Sequence, residues 1–554
     1  MGWSAIKYTP YNSDTEAIYA LNGTYRKRIE ETRTYEWGID PPIAMPILYA
    51  GTDTGLTGDY NAVYTYARAE RRTVVCESNA FQPATEAITL ANTNLRVIMQ
   101  IPLDPQVNLI RLYRTIADGS TYYYDSSLMY CNNKDYACCQ DWEYEDEYIS
   151  GFPFRFTVPD DLFNSENTFS WEQYHLAYAP TDYLLIITSP ADHFSVPQKG
   201  TLQPMTDEPE LIGIATITTD AQLGDEIHTT HNRPPSGSFV FGPTFNGIAF
   251  IIKDHRLHFS LSKQVEYFPL TYYLDISSPD LPGLCGVFFD RQPFVLTKNQ
   301  IIYIYGTSAT TFLPKPVSAK TGAQGPLGAL AVEGFGIFHV GSDGLYLCVP
   351  STDSRFGKDA KVSSPFDPIF QGETIENIPA AGDLSTAWLA WWENKLYFGY
   401  PDGGNEYPEH ILVFWMDLGK AAYFTYGKEI ACTTVDEVNN RLLAVDKTGY
   451  TWVLEDPDTI YDDETAISWE LESKEFTLQT RAHFPRWVKY DVNASNENCS
   501  ATGEVLLDGV SIQSHTLTRN RWTRRRLIVP SNGERCSMKI SGTGPIEIYA
   551  IESE

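Results

Sequence analysis

The sequence predicts an all-β protein in which a β-propeller of about five to seven blades carries an inserted β-sandwich and a C-terminal β-sandwich. Three observations predict this class: a recurring hairpin pattern, many strand-forming aromatic residues, and two series of closely spaced short strands. Of the 554 residues, 35 are Tyr, 27 are Phe and 12 are Trp. The 38 Gly and 34 Pro are scattered, which indicates many turns rather than one disordered segment.

The recurring hairpin consists of an apolar and aromatic run, a short polar turn and a second apolar run. Its turns lie 44 to 53 residues apart, near Asp254, Asn299, Asp343, Asn394 and Lys447. A unit repeated every ~40–50 residues is the sequence pattern of a propeller blade. The five hairpins occupy residues 247–260, 293–306, 334–348, 386–399 and 441–455.

The chain divides into four predicted regions. Residues 1–43 are expected to supply the N-terminal strands of the propeller, 44–150 the inserted sandwich, 151–460 the propeller itself and 461–554 the C-terminal sandwich. In the first region, Asn22-Gly23 is the strongest short hairpin signal, and Pro41-Pro42 ends strand pairing.

The inserted region has strand patterns at residues 59–68, 73–78, 95–100 and 109–114, at the spacing of a sandwich. A strand at 58–66, a Glu77-Ser78-Asn79 turn and an IRLYR strand at 110–114 follow in an order that resembles fibronectin type III-like modules of phage virion proteins. Propeller strands are then expected to resume at 173–187, before a loop-rich excursion at 200–235. The C-terminal sandwich is predicted from strand patterns at 468–476, 487–492, 504–507, 525–529 and 536–540.

The charge balance is strongly acidic, with 71 Asp and Glu against 41 Lys and Arg and a formal net charge of −30. Such a surface repels DNA at long range, which argues against a tight nucleic-acid binder. One interpretation is solubility alone. The other is an acidic surface or channel that must not adhere to a polyanion.

Targeting and redox signals are absent from the sequence. The first residues have neither a basic start nor an apolar core, and no stretch reaches the ~18–20 apolar residues of a membrane span. We therefore expect no secretory signal and no membrane span. The nine cysteines are odd in number and mostly far apart, so reduced, buried thiols are the expectation.

Metal sites are not expected. His255 and His258 lie on a strand, where residues three apart face opposite sides. The loop pair His228 and His231 has the spacing of metal ligands, but no HExxH or cysteine pattern supports it. The acidic, cysteine-rich segment at residues 131–147 lacks CxxC and EF-hand spacing, which favours a solvated loop.

Catalytic patterns are equally scarce. Ser342-Asp343-Gly344 and the DKTGYTW segment at 446–452 resemble fragments of the Asp-box turn of sialidase-like propellers, which is structural. No Gly-x-Ser-x-Gly elbow and no P-loop is present, and nothing singles out a carboxylate pair for glycoside hydrolysis. We expect no enzymatic activity, no catalytic residues and no cofactor.

One basic concentration stands out near the C-terminus. On a strand its arginines divide between two faces and form a modest patch. A solvated edge that discourages aggregation is one interpretation, and a contact with an acidic neighbouring subunit is the other, with nucleic-acid binding a distant third. The candidate subunit-contact residues are Arg519, Arg521, Arg524, Arg525 and Arg526.

Along the propeller, a series of short motifs resembles the nozzle or hub proteins of short-tailed bacteriophage tails, also called stabilisation or tail tubular proteins. The motifs follow one another in the same order between residues 223 and 476. They are LGDE (223–226), RPPSG (233–237), NGIAF (246–250), RLHFS (256–260), EYFP (266–269), VLT (295–297), IYGT (304–307), SDGL (342–345) and the opening of the C-terminal sandwich at 469–476.

The resemblance implies a structural virion protein of the phage tail, assembled in the host cytoplasm. It implies a homo-oligomeric ring, expected to be a hexamer, below the portal and adaptor proteins, with docking for tail fibre or tail tip proteins. Double-stranded DNA would pass transiently through an acidic lumen during genome retention and ejection. The alternative is a glycan-binding or glycan-cleaving propeller used in host attachment. A general propeller interaction scaffold is weakened by the absence of Trp-Asp blade endings and Kelch glycines.

Overall fold

Strand pairing in the computed structural model confirms the all-β class. The structure describes residues 3–10, 13, 15–51, 54–70, 73–100, 102–132, 183–188, 211–216, 218–244, 246–317, 321–349, 358–375, 377–456, 461–462, 465–477, 487–493, 499–517, 523–526, 534–544 and 547–553. Over these ranges it contains 43 strands and a single four-residue α-helix, α1 (Asp367–Phe370), besides short 3-10 turns. The chain separates into two compact units, Met1–Leu389 and Ala390–Glu554.

The first four strands form blade 1, an antiparallel meander in which each strand pairs with the next. The predicted turn at Asn22-Gly23 is present. The Asn22 carboxamide accepts hydrogen bonds from the backbone N–H groups of Thr24 and Tyr25, and Gly23 has a φ of 92°, which favours glycine. The strands are β1 (Ser4–Tyr8), β2 (Ala17–Leu21), β3 (Arg26–Ile29) and β4 (Thr34–Glu36).

The inserted sandwich follows blade 1. Its sheets have the orders β14-β10-β5 and β13-β12-β11-β7-β8, with β6 and β9 as a separate pair. Alternating inward residues such as Tyr64, Val97 and Leu112 pack into one buried core between the strands. The strands are β5 (Ile47–Ala50), β6 (Leu56–Tyr60), β7 (Ala62–Glu70), β8 (Thr73–Glu77), β9 (Ile88–Thr93), β10 (Leu95–Gln100), β11 (Leu109–Thr115), β12 (Tyr122–Asn132), β13 (Tyr183–Thr188) and β14 (Leu211–Ala215).

The two strands that lie beyond the predicted boundary at residue 150 correct the sequence prediction. β13 pairs with β12 and β14 pairs with β10, so both strands extend the sandwich sheets. The prediction that propeller strands resume at 173–187 is therefore wrong for the part of that range that the structure describes. An apolar run such as YLLIIT specifies a strand but not the sheet that it joins, because its partner is chosen by long-range pairing.

Blades 2, 3 and 4 repeat the four-stranded meander. The predicted turns near Asp254, Asn299 and Asp343 each connect the two central strands of a blade. Blade 2 comprises β15 (Phe239–Phe241), β16 (Phe250–Lys253), β17 (Arg256–Phe259) and β18 (Tyr273–Asp275); blade 3 comprises β19 (Gly283–Phe289), β20 (Gln292–Thr297), β21 (Ile301–Tyr305) and β22 (Leu313–Pro316); blade 4 comprises β23 (Ala329–Val332), β24 (Gly336–Gly341), β25 (Gly344–Val349) and β26 (Lys358–Lys361).

Successive blades of the first unit pack face to face. The first strands are neighbours in order, because β15 lies beside β1 and β19, and β19 lies beside β23. Three buried apolar clusters fill the spaces between blades 1 and 2, 2 and 3, and 3 and 4. Gly286 allows one close approach, since a Cβ there would lie 2.3 Å from the Phe241 ring. This radial repetition of sheets is typical of a β-propeller.

Blades 5 and 6 complete the series, which gives six blade sheets within the described ranges. The division between the units falls within the first strand of blade 5. The predicted turns at Asn394 and Lys447 lie between adjacent strands of these blades. Blade 5 comprises β27 (Trp388–Trp392), β28 (Lys395–Tyr400), β29 (His410–Trp415) and β30 (Lys420–Thr425), and blade 6 comprises β31 (Ile430–Asp436), β32 (Arg441–Asp446) and β33 (Thr451–Leu454).

The C-terminal sandwich is present as predicted. Its sheets have the orders β36-β42-β39-β40, with β37 also paired to β42, and β41-β38-β43. Val488, Val505 and Ile540 are among the residues of its buried core. After the short pair β34 (Tyr461–Asp462) and β35 (Thr465–Ala466), the strands are β36 (Ser468–Glu472), β37 (Phe476–Thr477), β38 (Trp487–Asn493), β39 (Ser500–Leu507), β40 (Val510–Leu517), β41 (Thr523–Arg526), β42 (Arg535–Thr543) and β43 (Glu547–Ser553).

Candidate functional site

The predicted arginine patch is only partly described by the structure. Arg519 and Arg521 lie outside the described residues. Arg524, Arg525 and Arg526 lie on β41, which among the described residues pairs only with β38 and so forms an edge of that sheet. An edge is the position expected both for a solvated patch and for a subunit contact. The contact with a neighbouring subunit stays a prediction.

The loop histidines stack rather than converge on an ion. The rings of His228 and His231 have centroids 4.7 Å apart, and His231 lies flat on Tyr267 at 3.9 Å. Burial lowers the pKa of His231 to about 4, so this ring is neutral at pH 7. In the described part of the chain, no group of three or more His, Cys, Asp or Glu could hold a metal ion. Residues 133–147 of the acidic, cysteine-rich segment lie outside the described residues.

The second histidine pair makes separate local contacts. His255 Nε2 lies 3.5 Å from a carboxylate oxygen of Asp275, whereas the His258 ring packs against Tyr273 with a centroid distance of 5.7 Å. Burial lowers the pKa of His258 to about 4. The two rings thus take part in the packing of blade 2.

Arg28, Arg68, Glu70 and Glu266 form an ion cluster in the first unit. The first two and Glu266 are buried, whereas the Glu70 side chain is 20% exposed. Arg68 Nη2 lies 2.5 Å from Glu266 Oε1, and Arg28 Nε lies 3.6 Å from the same oxygen. Glu70 Oε1 lies 3.5 Å from Arg68 Nε and 3.8 Å from Arg28 Nη2. The Tyr19 hydroxyl donates a further hydrogen bond to Glu266 over 3.0 Å. Buried charges persist when they are paired in this way.

The ion cluster joins three parts of the first unit. Arg28 lies on β3 of blade 1, Arg68 lies on β7 of the inserted sandwich, and Glu266 lies between β17 and β18 of blade 2. Burial alone raises the pKa of Glu266, but Arg68 and Arg28 outweigh it and hold the pKa below its ordinary value. The carboxylate therefore remains charged at neutral pH and fixes the sandwich against both blades.

Asp446 organises a tight turn in blade 6, at the segment that resembles a fragment of an Asp-box. Asp446 Oδ1 accepts hydrogen bonds from the backbone N–H groups of Thr448 and Tyr450 and from the Thr448 hydroxyl. Its Oδ2 accepts the indole N–H of Trp452 over 2.9 Å. The bonds from Thr448 and Trp452 hold the pKa of Asp446 below its ordinary value. One carboxylate thus fixes both the turn and an aromatic ring.

An open cleft of about 490 Å³ lies beside this turn, within the second unit. We call it the blade 6 cleft. Its walls come from the segment before β29, the turn before β31, and the turn that precedes β33. Its main lining side chains are Glu409, Lys428, Glu429, Lys447, Tyr450 and Trp452.

The blade 6 cleft is lined by both charged and aromatic side chains. The Lys428 ammonium lies 4.8 Å from the centre of the Trp452 ring, a cation–π contact. Glu429 forms an ion pair with Lys447 and accepts the backbone N–H of Tyr407 over 3.4 Å. The sequence showed only the Asp446 turn, because the other walls come from segments separated along the chain.

Among the described residues, no helix has the length and apolar character needed to cross a membrane. This finding concerns the helices of the described ranges alone.

No protein-family model and no curated protein sequence matches this chain. Among solved structures, an exo-β-1,3-galactanase from Phanerochaete chrysosporium is similar at 8% identity over 56% of this chain and 94% of that chain, with a TM-score of 0.24. AztD from Citrobacter koseri is similar at 10% identity over 85% and 98%, with a TM-score of 0.24. The tricorn protease reaches 10% identity over 82% and 56%, with a TM-score of 0.23. The β-propeller assignment rests on the strand pairing of the chain itself.

Proposed function

We propose that this protein is a structural component of a short-tailed phage tail, a nozzle or hub subunit that forms a ring below the portal and adaptor. The observation that carries the proposal is the ordered series of motifs from LGDE at 223–226 to the C-terminal sandwich. The ring is expected to contain six copies, to dock tail fibre or tip proteins, and to extend the DNA channel. Its role is mechanical rather than enzymatic.

The acidic balance supports this proposal through the physics of DNA passage. Duplex DNA carries about one negative charge per 1.7 Å, and proteins hold it by releasing counterions from phosphates through Lys and Arg. A protein with a net charge of −30 offers little of that attraction. A wall of Asp and Glu would let the genome slide during ejection without trapping it.

The ion cluster also supports a mechanical role. It ties blade 1, the inserted sandwich and blade 2 together through the buried charges of Arg28, Arg68 and Glu266. A buried pair that loses one partner leaves an uncompensated charge, so relative movement of these parts is costly. A ring subunit that transmits force from its neighbours benefits from such a frame.

Imaging tests the proposal directly. Cryo-electron microscopy of the purified protein and of virions should show a closed ring of 62.5 kDa subunits below the adaptor. Light scattering coupled to gel filtration gives the number of copies independently. Protein that stays monomeric and never joins adaptor-bearing particles would contradict the nozzle assignment.

The arginine patch offers a mutational test of ring assembly. The triple variant Arg524→Glu, Arg525→Glu and Arg526→Glu should remain folded but fail to form the ring, because it reverses the charge of the proposed contact. A matched control reverses the same number of charges at exposed lysines of blades 2 and 3, and it should still assemble. The control positions are Lys253, Lys263 and Lys298. Assembly of the arginine variant would show that the patch is only a solvated edge.

A hydrolysis screen distinguishes the nozzle role from the alternative glycan-cleaving function. The protein is incubated with bacterial capsular, lipopolysaccharide and peptidoglycan fractions, and released reducing ends are measured. A non-enzymatic nozzle should release none above a heat-denatured control. Turnover of any polysaccharide would overturn the assignment.

A further inference from the structure

We infer that the blade 6 cleft is a binding site for a neutral oligosaccharide of about two sugar rings. The inference rests on the shape of the cleft, its paired aromatic side chains and its polar rim. A volume of about 490 Å³ lies within the ~300–1,000 Å³ of small-ligand sites. The cleft contains none of the arginines proposed for ring assembly, so the inference is tested separately from the nozzle proposal.

Tyr450 and Trp452 provide the apolar surface. Tyr450 immediately precedes β33, Trp452 is the second residue of that strand, and both side chains line the cleft. The Tyr450 side chain is 71% exposed although it is large and aromatic. Two aromatic rings that line one cleft can each accept the C–H face of one pyranose, because those hydrogens are attracted to the negative face of a ring.

The tryptophan is held in place before any ligand arrives. Its indole N–H donates to Asp446 over 2.9 Å, and the Lys428 ammonium lies 4.8 Å from the ring centre. The Asp446 carboxylate is fixed in turn by the backbone of Thr448 and Tyr450. A side chain that is already ordered loses little entropy on binding, which favours the weak, stacking contacts of saccharides.

The rim supplies hydrogen-bonding groups suited to hydroxyls. Glu409 accepts a hydrogen bond from the Asn405 amide over 2.9 Å, and Glu429 is held by Lys447 and the Tyr407 backbone. A carboxylate has about four acceptor positions, so each one retains capacity for the hydroxyls of a sugar. Ordered carboxylates beside an aromatic platform therefore match a polyol better than an apolar ligand.

The charges of the cleft select among ligands. Three carboxylates, those of Glu409, Glu429 and Asp446, accompany the ammonium groups of Lys428 and Lys447. Both ammonium groups already have partners at the cleft, Trp452 for one and Glu429 for the other. A phosphate, sulfate or carboxylate on the ligand would thus meet repulsion, whereas a neutral sugar would not. On a virion, such a cleft would contact neutral surface polysaccharide of the host.

The test measures saccharide binding to the purified full-length protein. An array of bacterial surface oligosaccharides is screened first, and saturation-transfer NMR then follows maltotriose, chitotriose and the best array ligand, with 3′-sialyllactose as an acidic comparison. Tyr450→Ala should weaken neutral-sugar binding by about tenfold or more, as truncation of a central aromatic contact does. Tyr450→Phe should bind within about threefold of the wild type, because stacking is kept.

Two controls keep the result specific. Tyr305→Ala removes a tyrosine that is 52% exposed and has Lys315 over its ring at 4.1 Å, but it lies on blade 3, so binding should not change. Trp452→Phe removes the bond to Asp446 and should also weaken binding. The inference is overturned if no neutral oligosaccharide binds at millimolar concentration, if binding survives Tyr450→Ala, or if sialyllactose binds more tightly. None of these outcomes bears on ring formation, which imaging decides separately.

Discussion

The substitution Glu266→Gln removes one charge from the ion cluster while it keeps the shape of the side chain. In the wild type, the Glu266 carboxylate is 3% exposed and lies within 3.6 Å of both Arg28 and Arg68. The glutamine can still accept the Tyr19 hydroxyl and one arginine N–H. Arg28 then keeps ion pairs with Glu30 and Glu70, and Arg68 keeps Glu70 and a hydrogen bond to Gln106.

The expected magnitude follows from burial. Breaking a buried ion pair costs about 3–5 kcal/mol, and the remaining Glu70 contacts place this substitution near the lower limit, about 3 kcal/mol. An unfolding entropy of about 2.1 cal/mol/K per residue gives about 0.8 kcal/mol/K for the unit Met1–Leu389. The melting temperature of that unit should therefore fall by about 4 °C.

Differential scanning calorimetry measures this shift, and a matched control separates burial from charge. Glu16→Gln removes a carboxylate of the same unit that lies 2.8 Å from Lys7, with both side chains more than half exposed. Such a surface pair contributes about 0–1 kcal/mol, so this variant should melt within about 1 °C of the wild type.

The pH dependence provides a second readout. The folded-state pKa of Glu266 is lowered, so its contribution is fully present above the unfolded value of about 4.3 and is lost as the pH falls through the folded value. The difference between wild type and Glu266→Gln should be constant from pH 7 to pH 5 and shrink at lower pH. A folded variant that melts with the wild type at pH 7 would refute the proposed frame.

Three further substitutions follow from the same structure. Gly286→Ala places a methyl group 2.3 Å from the Phe241 ring and should destabilise the first unit by about 1–3 kcal/mol in denaturant unfolding. Arg114→Met leaves the fully buried Asp125 carboxylate, which lies 2.7 Å from Arg114 Nε, without its ion-pair partner. This substitution should lower the free energy of unfolding by about 3–5 kcal/mol. His231 should titrate in NMR near its lowered pKa of about 4. Because the unfolded chain binds this proton near pH 6.5, the wild type should lose stability as the pH falls from about 6.5 to 4. The variant His231→Phe should lose less stability over that pH range.

Each of these predictions has a control variant or an outcome that would contradict it. Gly403→Ala, with no atom within 4 Å of the added Cβ, is the control for Gly286→Ala, and equal stabilities would contradict the overlap argument. The control for Arg114→Met is Arg256→Met, which breaks an exposed ion pair with Asp275 and should change the free energy of unfolding by only about 0–1 kcal/mol. Equal losses in the two variants would contradict the effect of burial. A midpoint for His231 near 6.5 would show that its ring is hydrated rather than buried against Tyr267.

Local patterns predicted the blades well. All five turns inferred from polar breaks in apolar runs connect adjacent strands, as at Asp254 and Asn394, which both adopt positive φ. A turn depends on a few neighbouring residues, so it can be predicted from the local sequence. The Asp446 turn was recognisable for the same reason. Of the arginine patch, Arg524, Arg525 and Arg526 lie on β41, and Arg519 and Arg521 lie outside the described residues.

Sequence by itself determined the class of this protein: all-β, with a repeated hairpin unit, two sandwiches and a strongly acidic charge. These properties follow from composition and from periods of a few residues. Tertiary structure alone decided that β13 and β14 join the inserted sandwich, that Arg68 meets Glu266 across 198 residues of chain, and that Tyr450 and Trp452 share a cleft with Glu409. Such contacts arise from long-range pairing and burial, and no local pattern specifies which distant residue will be the partner.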